Sequence, residues 1–317
     1  MNRFPLVCLM GPTASGKTQI AVQLVQQFPF EIISVDSAMV YRDMDIGTAK
    51  PSADIVHRAP HQLINLIDPS ETYSAAQFCK DAMQAINDIQ GHHKIPLLVG
   101  GTMLYFRALL RGMADLPSAN QAIRQQLEQE AMIKGWPAMH EKLKHIDPEA
   151  AEKIYPQDSQ RIQRALEVFM VSGKKISVLQ KESGALLQAV QPHCLIVAPD
   201  NRAVLHERIA LRFHQMLAEG LVDEVKQLYD RGDLTGHMPA MRSVGYRQVW
   251  QYLSGELTHD NMIEHGIIAT RQLAKRQLTW LRAWPDAVWF NSESEHIYSE
   301  LVHYVKRHVL RHFNEKK

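Results

Sequence analysis

Apolar and polar positions along the chain fall into two textures. Short apolar runs lie at residues 6–10 (LVCLM), 95–99 (IPLLV) and 194–198 (CLIVA), and 31–36 (EIISVD) reads as a second buried strand. Runs of this length, apolar on consecutive positions, predict strands buried on both faces. Between them, residues 17–27 carry Ile20, Ala21, Leu24 and Val25 at helical spacing, and residues 75–89 and 104–110 repeat the helical period. Strands alternating with helices predict a parallel sheet with helices on both faces. Ligands of such sheets gather at the carboxyl ends of the strands.

The second texture runs from about residue 116 to 192. "ANQAIRQQLEQEAMIKGW" and "SQRIQRALEVFMVSGKK" are amphipathic, Gln-rich and strand-poor, with helix stops at Gly135, Pro156 and Gly173. This predicts an all-helical lobe, 116–192, inserted into an α/β core formed by 1–115 and 193–317. After Pro199 the chain reads as mostly helical again, with a short strand at 287–290.

Three predicted strand ends carry chemistry. After the first strand, "GPTASGKT" at 11–18 fits G-x-x-x-x-G-K-[ST], the phosphate loop. Backbone N–H groups across Gly11, Pro12, Thr13, Ala14, Ser15 and Gly16, Pro12 excepted, together with the following helix N-terminus, form a nest for anionic oxygens. Lys17 adds a point charge and the Thr18 hydroxyl a ligand for Mg²⁺. A loop that grips phosphates does not specify what hangs from them. The second strand ends in Asp36 and runs into "VDSAMVYRDMDIGTAKP". Asp36 reads as a general base or as the cap of the turn that follows. The IPLLV strand ends in Gly100-Gly101-Thr102, where most phosphate-loop NTPases place an Asp that holds Mg²⁺. A small-molecule or nucleotide kinase, with Asp36 on the acceptor hydroxyl and Arg208 and Arg212 on phosphates, is weakened by that absence and stays the alternative.

Composition narrows the classes. Hydrophobic residues are 45% of 317, enough for a large core, and no stretch approaches the ~18 apolar residues of a membrane span. A cytoplasmic protein without a secretion signal is expected. Cys8, Cys79 and Cys194 are far apart with no C-x-x-C, which points to buried reduced thiols rather than zinc or disulfides. The net charge of +1 leaves any nucleic-acid partner to local basic patches. One such patch is "RQLAKRQLTWLR", 271–282, with four basic and no acidic residues. At ~100° per residue Arg271, Lys275 and Arg282 share one helix face, beside an apolar stripe of Ile267, Ala274, Leu278 and Leu281. His57 and His61 are four apart, but Pro60 between them spoils a helical metal site. Trp280, Trp284 and Trp289 read as packing residues that also have faces for stacking on bases.

GPTASGKT, ISVDSAMVYRDMDIGTAKP, PLLVGGTMLYF, RSVGYRQ and ATRQLAKRQLTWLR, in this order over nearly the whole chain, resemble the bacterial tRNA isopentenyltransferases, or tRNA dimethylallyltransferases. The resemblance implies that the loop holds the diphosphate of dimethylallyl diphosphate, with Mg²⁺, and that the isoprenoid passes to N6 of the adenosine at tRNA position 37, in the anticodon stem-loop. It assigns Asp36 as base, Arg212 to the leaving diphosphate and Thr102 to the reacting centre. It places tRNA contacts at Asp36, Ser37, Ala38, Met39, Thr102, Arg124, Gln160, Arg161, Ile162, Gln163 and Arg164. Further contacts are expected in Arg242, Ser243, Val244, Gly245, Tyr246 and Arg247, and in Lys275, Arg276, Gln277, Leu278, Thr279, Trp280, Leu281 and Arg282. Ala38-Met39 departs from the Met-Gln of many members. A monomer without protein partners is expected.

Overall fold

The strand carrying LVCLM sits at the centre of the protein. In the computed structural model, which describes residues 4–181 and 190–314, β1 (Phe4–Met10) runs between two parallel neighbours. The chain continues through α1 (Lys17–Gln27), β2 (Phe30–Val35), α2 (Ala53–Arg58), β3 (His61–Gln62), α3 (Ala75–Gly91), β4 (Ile95–Gly100) and α4 (Met103–Arg111). After the helical lobe the sheet is completed by two strands at Val190–Ala198 and Val288–Asn291. The sheet is parallel throughout, in the order β3-β2-β4-β1 followed by those two strands. Leu6 to Met10 have no exposed surface, which is why the run is apolar without alternation.

Register matters for function. Met10 pairs with Gly100, and Gly100 with Val35. The strands β1, β2 and β4 therefore end in one row, and the three chemically distinctive segments leave the sheet at the same level. On one face, Ile20, Ala21 and Leu24 of α1 pack against Val7, Leu9, Ile32 and Leu97, with Leu301, Val305 and Val309 from the C-terminal helices. Each fully buried aliphatic side chain contributes about 1.5–3 kcal/mol.

The lobe, Leu109–Leu187, is one compact unit; Met1–Ala108 with Gln188–Lys317 is the other. Within the lobe, α5 (Gln121–Lys134), α6 (Trp136–Ile146), α7 (Pro148–Lys153), α8 (Ser159–Ser172) and α9 (Ile176–Lys181) surround Leu127, Met139, Leu143, Ile162 and Leu166. Helix α5 stops at Gly135 and α8 at Gly173, and α7 ends at Lys153, before Pro156.

Beyond β5 (Val190–Ala198) come α10 (Arg202–Ala218), α11 (Leu221–Asp230), α12 (Tyr246–Leu253) and α13 (His259–Arg282), then β6 (Val288–Asn291), α14 (Ile297–Tyr304), a π-helical turn at Val305–Leu310 and α15 (Arg311–Asn314). Helices α10 to α13 bury Val40, Tyr41 and Met44 of the segment after β2 against Phe213, Leu221, Val225, Tyr246 and Met262. The long "IGTAKP" stretch is thus fastened to the C-terminal helices. No helix among the described residues is long and apolar enough to cross a membrane.

Candidate active site

Backbone and side-chain bonds tie the three strand-end loops together. Gly11 N donates to Gly100 O (3.3 Å), and Thr102 N donates to Val35 O (3.2 Å). The Thr102 hydroxyl accepts from Ser37 N at 3.1 Å. It therefore joins the β4 loop to the β2 loop, while the Thr102 carbonyl, not its side chain, receives Tyr105 N of α4 (3.0 Å). Close approach explains the two glycines. A Cβ on Gly100 would lie 2.0 Å from Val35 O, and one on Gly101 would lie 2.3 Å from Gln277 Nε2. The position where other phosphate loops rely on a strand-end carboxylate has no room for a side chain.

These loops, α10, the start of α12 and α13 line a cavity of about 470 Å³. Lys17, Thr18, Asp36, Thr102 and Arg212 all line it. Lys17 Nζ donates to Pro12 O at 3.0 Å. Burial, then the Arg212 charge, lowers the Lys17 pKa to about 8, against the opposing pull of Asp36. Burial also lowers Arg212, opposed by Asp36 and Glu219. Two cations and one carboxylate thus share a partly desolvated space, a setting that favours an added anion. Thr18 offers its hydroxyl at the cavity wall. No group of three or more His, Cys, Asp or Glu able to hold a metal occurs among the described residues. The Thr18 hydroxyl is the donor available to a Mg²⁺ ion that takes its other ligands from water and substrate phosphate oxygens. His57 lies in the last turn of α2 and His61 in β3.

Asp36 stands one residue beyond β2, and its Oδ1 accepts from Ala38 N (2.8 Å) and Met39 N (3.3 Å). The cap and the base are therefore not exclusive, because Oδ2 has no protein partner among the described residues. Of the two arginines on α10, Arg212 lines the cavity, whereas Arg208 donates to Ser292 Oγ (2.9 Å) and Ser292 O (3.2 Å).

Helix α13 presents a different face to the cavity from the one its charge pattern suggests. Leu273, Arg276, Gln277 and Trp280 line the cavity. Lys275 and Arg282 are exposed, but Arg271 leaves the expected basic stripe: it is half-buried and its Nη2 reaches His206 O (3.5 Å). Ala274 and Leu281 are buried, with Ile267 and Leu278 partly so. Gln277 accepts from Thr13 N at 2.9 Å and donates to Gly101 O at 3.0 Å. Trp280 has Arg107 over its ring, 5.8 Å from the centroid, Trp284 packs edge-on to Phe106, and Trp289 is exposed on the edge strand β6.

Several expected tRNA contacts need correction. The side chains of Ile162 and Leu281 are fully buried, so they face no partner, whereas the buried Tyr246 is part of the cavity lining. Leu278 is partly buried in the α10–α13 packing. The Tyr246 hydroxyl donates to Glu224, and burial raises its pKa, as does the Glu224 charge. Glu224, which no local pattern singles out, also accepts from Asp45 N (2.8 Å), Ile46 N (2.8 Å) and Gly47 N (3.2 Å). From the same group Arg242, Ser243, Val244, Gly245 and Tyr246 line the cavity, and Arg247 is exposed away from its lining.

In the lobe, Arg124 and Arg164 are committed to one buried carboxylate. Arg124 donates to Glu167 through Nε (Oε1, 2.8 Å) and Nη2 (Oε2, 3.2 Å), Arg164 Nη1 donates to Oε2 (2.7 Å), and Asn120 N adds a fourth bond (2.8 Å). Burial alone would raise the Glu167 pKa, but these donors hold it below the usual range. Gln163 Nε2 donates to Glu128 Oε1 (2.9 Å). Gln160 and Arg161 are exposed at the start of α8.

A parallel sheet with a phosphate loop facing a carboxylate and two cations defines a phosphate-loop group-transfer enzyme. The family model for IPP transferases matches residues 39–284, and that for isopentenyl transferases matches 5–65. The chain is 54% identical over 307 residues to the tRNA dimethylallyltransferases of two Coxiella burnetii strains, Dugway 5J108-111 and RSA 493, covering 96% of this chain and 99% of theirs. Among solved structures it is similar to the tRNA isopentenylpyrophosphate transferase of Bacillus halodurans (TM-score 0.70, 36% identity, 98% of this chain and 97% of that one). It is also similar to a eukaryotic dimethylallyltransferase acting on tRNA (TM-score 0.78, 28% identity, 97% and 77%). The chain belongs to the IPP transferase family.

Proposed function

We infer that this protein transfers the dimethylallyl group of dimethylallyl diphosphate to N6 of the adenosine at position 37 of tRNA, as a cytoplasmic monomer. The observation that carries this is the cavity in which Lys17 and Arg212 face Asp36 across the ends of β1 and β2. The adenine amine is a weak nucleophile because its lone pair is delocalised into the ring. As N6 attacks the allylic carbon, the carbon–oxygen bond breaks and diphosphate leaves with the electron pair. Asp36 takes the N6 proton through Oδ2, held in place by the two amides on Oδ1. Lys17, Arg212 and the loop N–H groups stabilise the charge that grows on the diphosphate. The Thr18 hydroxyl would help hold Mg²⁺, which would supply further charge neutralisation.

The target base must leave its stack to enter the cavity. Thr102 and Ser37 border the space beside Asp36, and Arg276 and Trp280 offer a cation and an aromatic face. Exposed Lys275, Arg282, Arg247, Gln160 and Arg161 remain for phosphate and loop contacts. The test is incubation with dimethylallyl diphosphate and unmodified tRNA. Diphosphate release together with one isoprenyl unit gained by adenosine 37 supports the reading. Phosphorylation of a small acceptor from ATP, with no turnover of the allylic substrate, overturns it and returns the kinase.

A further inference from the structure

Among the described residues, Gln277 is the one side chain with hydrogen bonds to both the phosphate loop and the β4 loop: its Oε1 receives Thr13 N at 2.9 Å and its Nε2 reaches Gly101 O at 3.0 Å. A single planar amide spans two loops that approach the cavity from different strands. We propose that Gln277 is a positioning residue, keeping the diphosphate-holding loop in register with the loop that carries Thr102, and through Thr102 with the Ser37–Asp36 segment. This inference rests on the transfer reading above.

Three features favour this role over a contact to tRNA. The chemistry is specific to an amide, since one end must accept and the other donate. The fit extends to its partner, because a Cβ on Gly101 would sit 2.3 Å from Nε2. The chain of bonds also continues: Gly101 is followed by Thr102, whose hydroxyl receives Ser37 N (3.1 Å), and Asp36 is next to Ser37. Leaving group and base are therefore joined through Thr13, Gln277, Gly101, Thr102 and Ser37. Loss of the link would leave each half able to bind its substrate while their separation drifts. A displacement of ~1 Å between reacting groups costs up to about 10²-fold in rate.

Gln277→Met keeps the shape and removes both bonds. Expected for Gln277→Met is a kcat lowered by about 10- to 100-fold, with inorganic pyrophosphate affinity and the tRNA KM within about threefold of wild type. Gln277→Glu, which sets a carboxylate against the Gly101 carbonyl, should be no better. Gly101→Ala should lower kcat similarly alone but add less in the Gln277→Ala background, where the 2.3 Å clash with Nε2 is gone and the 3.1 Å approach to Gly11 O remains. A tRNA KM that rises with kcat unchanged, wild-type kcat in Gln277→Met, or additive losses in the Gly101 and Gln277 pair would each overturn the proposal. Amide exchange of the 11–16 segment, read by mass spectrometry, tests the clamp without turnover. Faster exchange in Gln277→Met is expected and unchanged exchange overturns it. If the wild type itself fails to turn over allylic diphosphate and tRNA, the transfer reading fails, and this exchange measurement still decides the clamp.

Discussion

The carboxylate of Asp36 and the amide of Ala38 lie 2.8 Å apart, oxygen to nitrogen. One oxygen of Asp36 is thus a cap for the turn after β2, and the other has no donor among the described residues. Asparagine keeps an accepting oxygen but no basicity, whereas alanine removes both. Asp36→Asn should therefore lower turnover by about 10²–10⁴-fold with Tm near wild type. Asp36→Ala should show the same loss together with about 0.5–2 kcal/mol of destabilisation from the lost cap. Turnover near wild type in Asp36→Asn would leave Asp36 only its cap.

Lys17 sets a pH dependence with a definite sign. Its pKa is lowered to about 8 from an ordinary 10.5, by burial first and Arg212 second. Since the folded value is the lower, burying the ammonium opposes folding fully below pH 8, and the penalty fades as pH rises toward 10.5. Lys17→Met should therefore raise Tm at pH 7, with a gain that shrinks between pH 8 and 10.5. An anion on the loop restores the proton, so the pyrophosphate affinity advantage of wild type over Lys17→Met should fall as pH rises above about 8. Arg212→Gln should move that fall to higher pH. An advantage that does not change with pH would remove Lys17 from the anion site.

What the chain discloses locally and what it hides divide along contact distance. The phosphate loop is eight consecutive residues, and Asp36 follows a buried strand directly, so both are legible as sequence. The apolar stripe of α13 is legible too, because Ala274 and Leu281 repeat at helical spacing and are buried. Strand β3 has two residues, too short to show any period. Glu224 and Gln277 act on partners about 178 and 264 positions away, and no local pattern marks such bonds. Arg271 misleads for a related reason: its place on the helix wheel is right for a basic stripe, but its neighbour across the fold is the His206 carbonyl.

Glu224 carries a second stability prediction. Its carboxylate receives three successive amides of the Asp45–Gly47 loop and the Tyr246 hydroxyl. Glu224→Ala leaves these donors without their acceptor, at about 1–3 kcal/mol for each one that water cannot reach. Glu224→Gln keeps one accepting oxygen and should lose less. Urea unfolding should rank wild type, Gln and Ala in that order, and equal midpoints would show that the loop is held by its apolar contacts alone.

Helix α13 separates phosphate contacts from packing. Lys275 and Arg282 are exposed, whereas Arg271 is half-buried against α10. Charges that bind a phosphate backbone release counterions, and each one removed lowers the salt slope of tRNA affinity by roughly 0.7–0.9. Lys275→Ala with Arg282→Ala should raise the tRNA KM, reduce that slope by about 1.4–1.8 and leave the KM for dimethylallyl diphosphate unchanged. Arg271→Ala should instead lower Tm and leave the slope alone, since its guanidinium is turned toward His206. Exposed charges that bind nothing change stability by no more than about 0.5 kcal/mol, so Tm of the Lys275 and Arg282 double variant should stay near wild type. An unchanged salt slope in that variant would make this face of α13 a solvated surface and move the tRNA contact elsewhere.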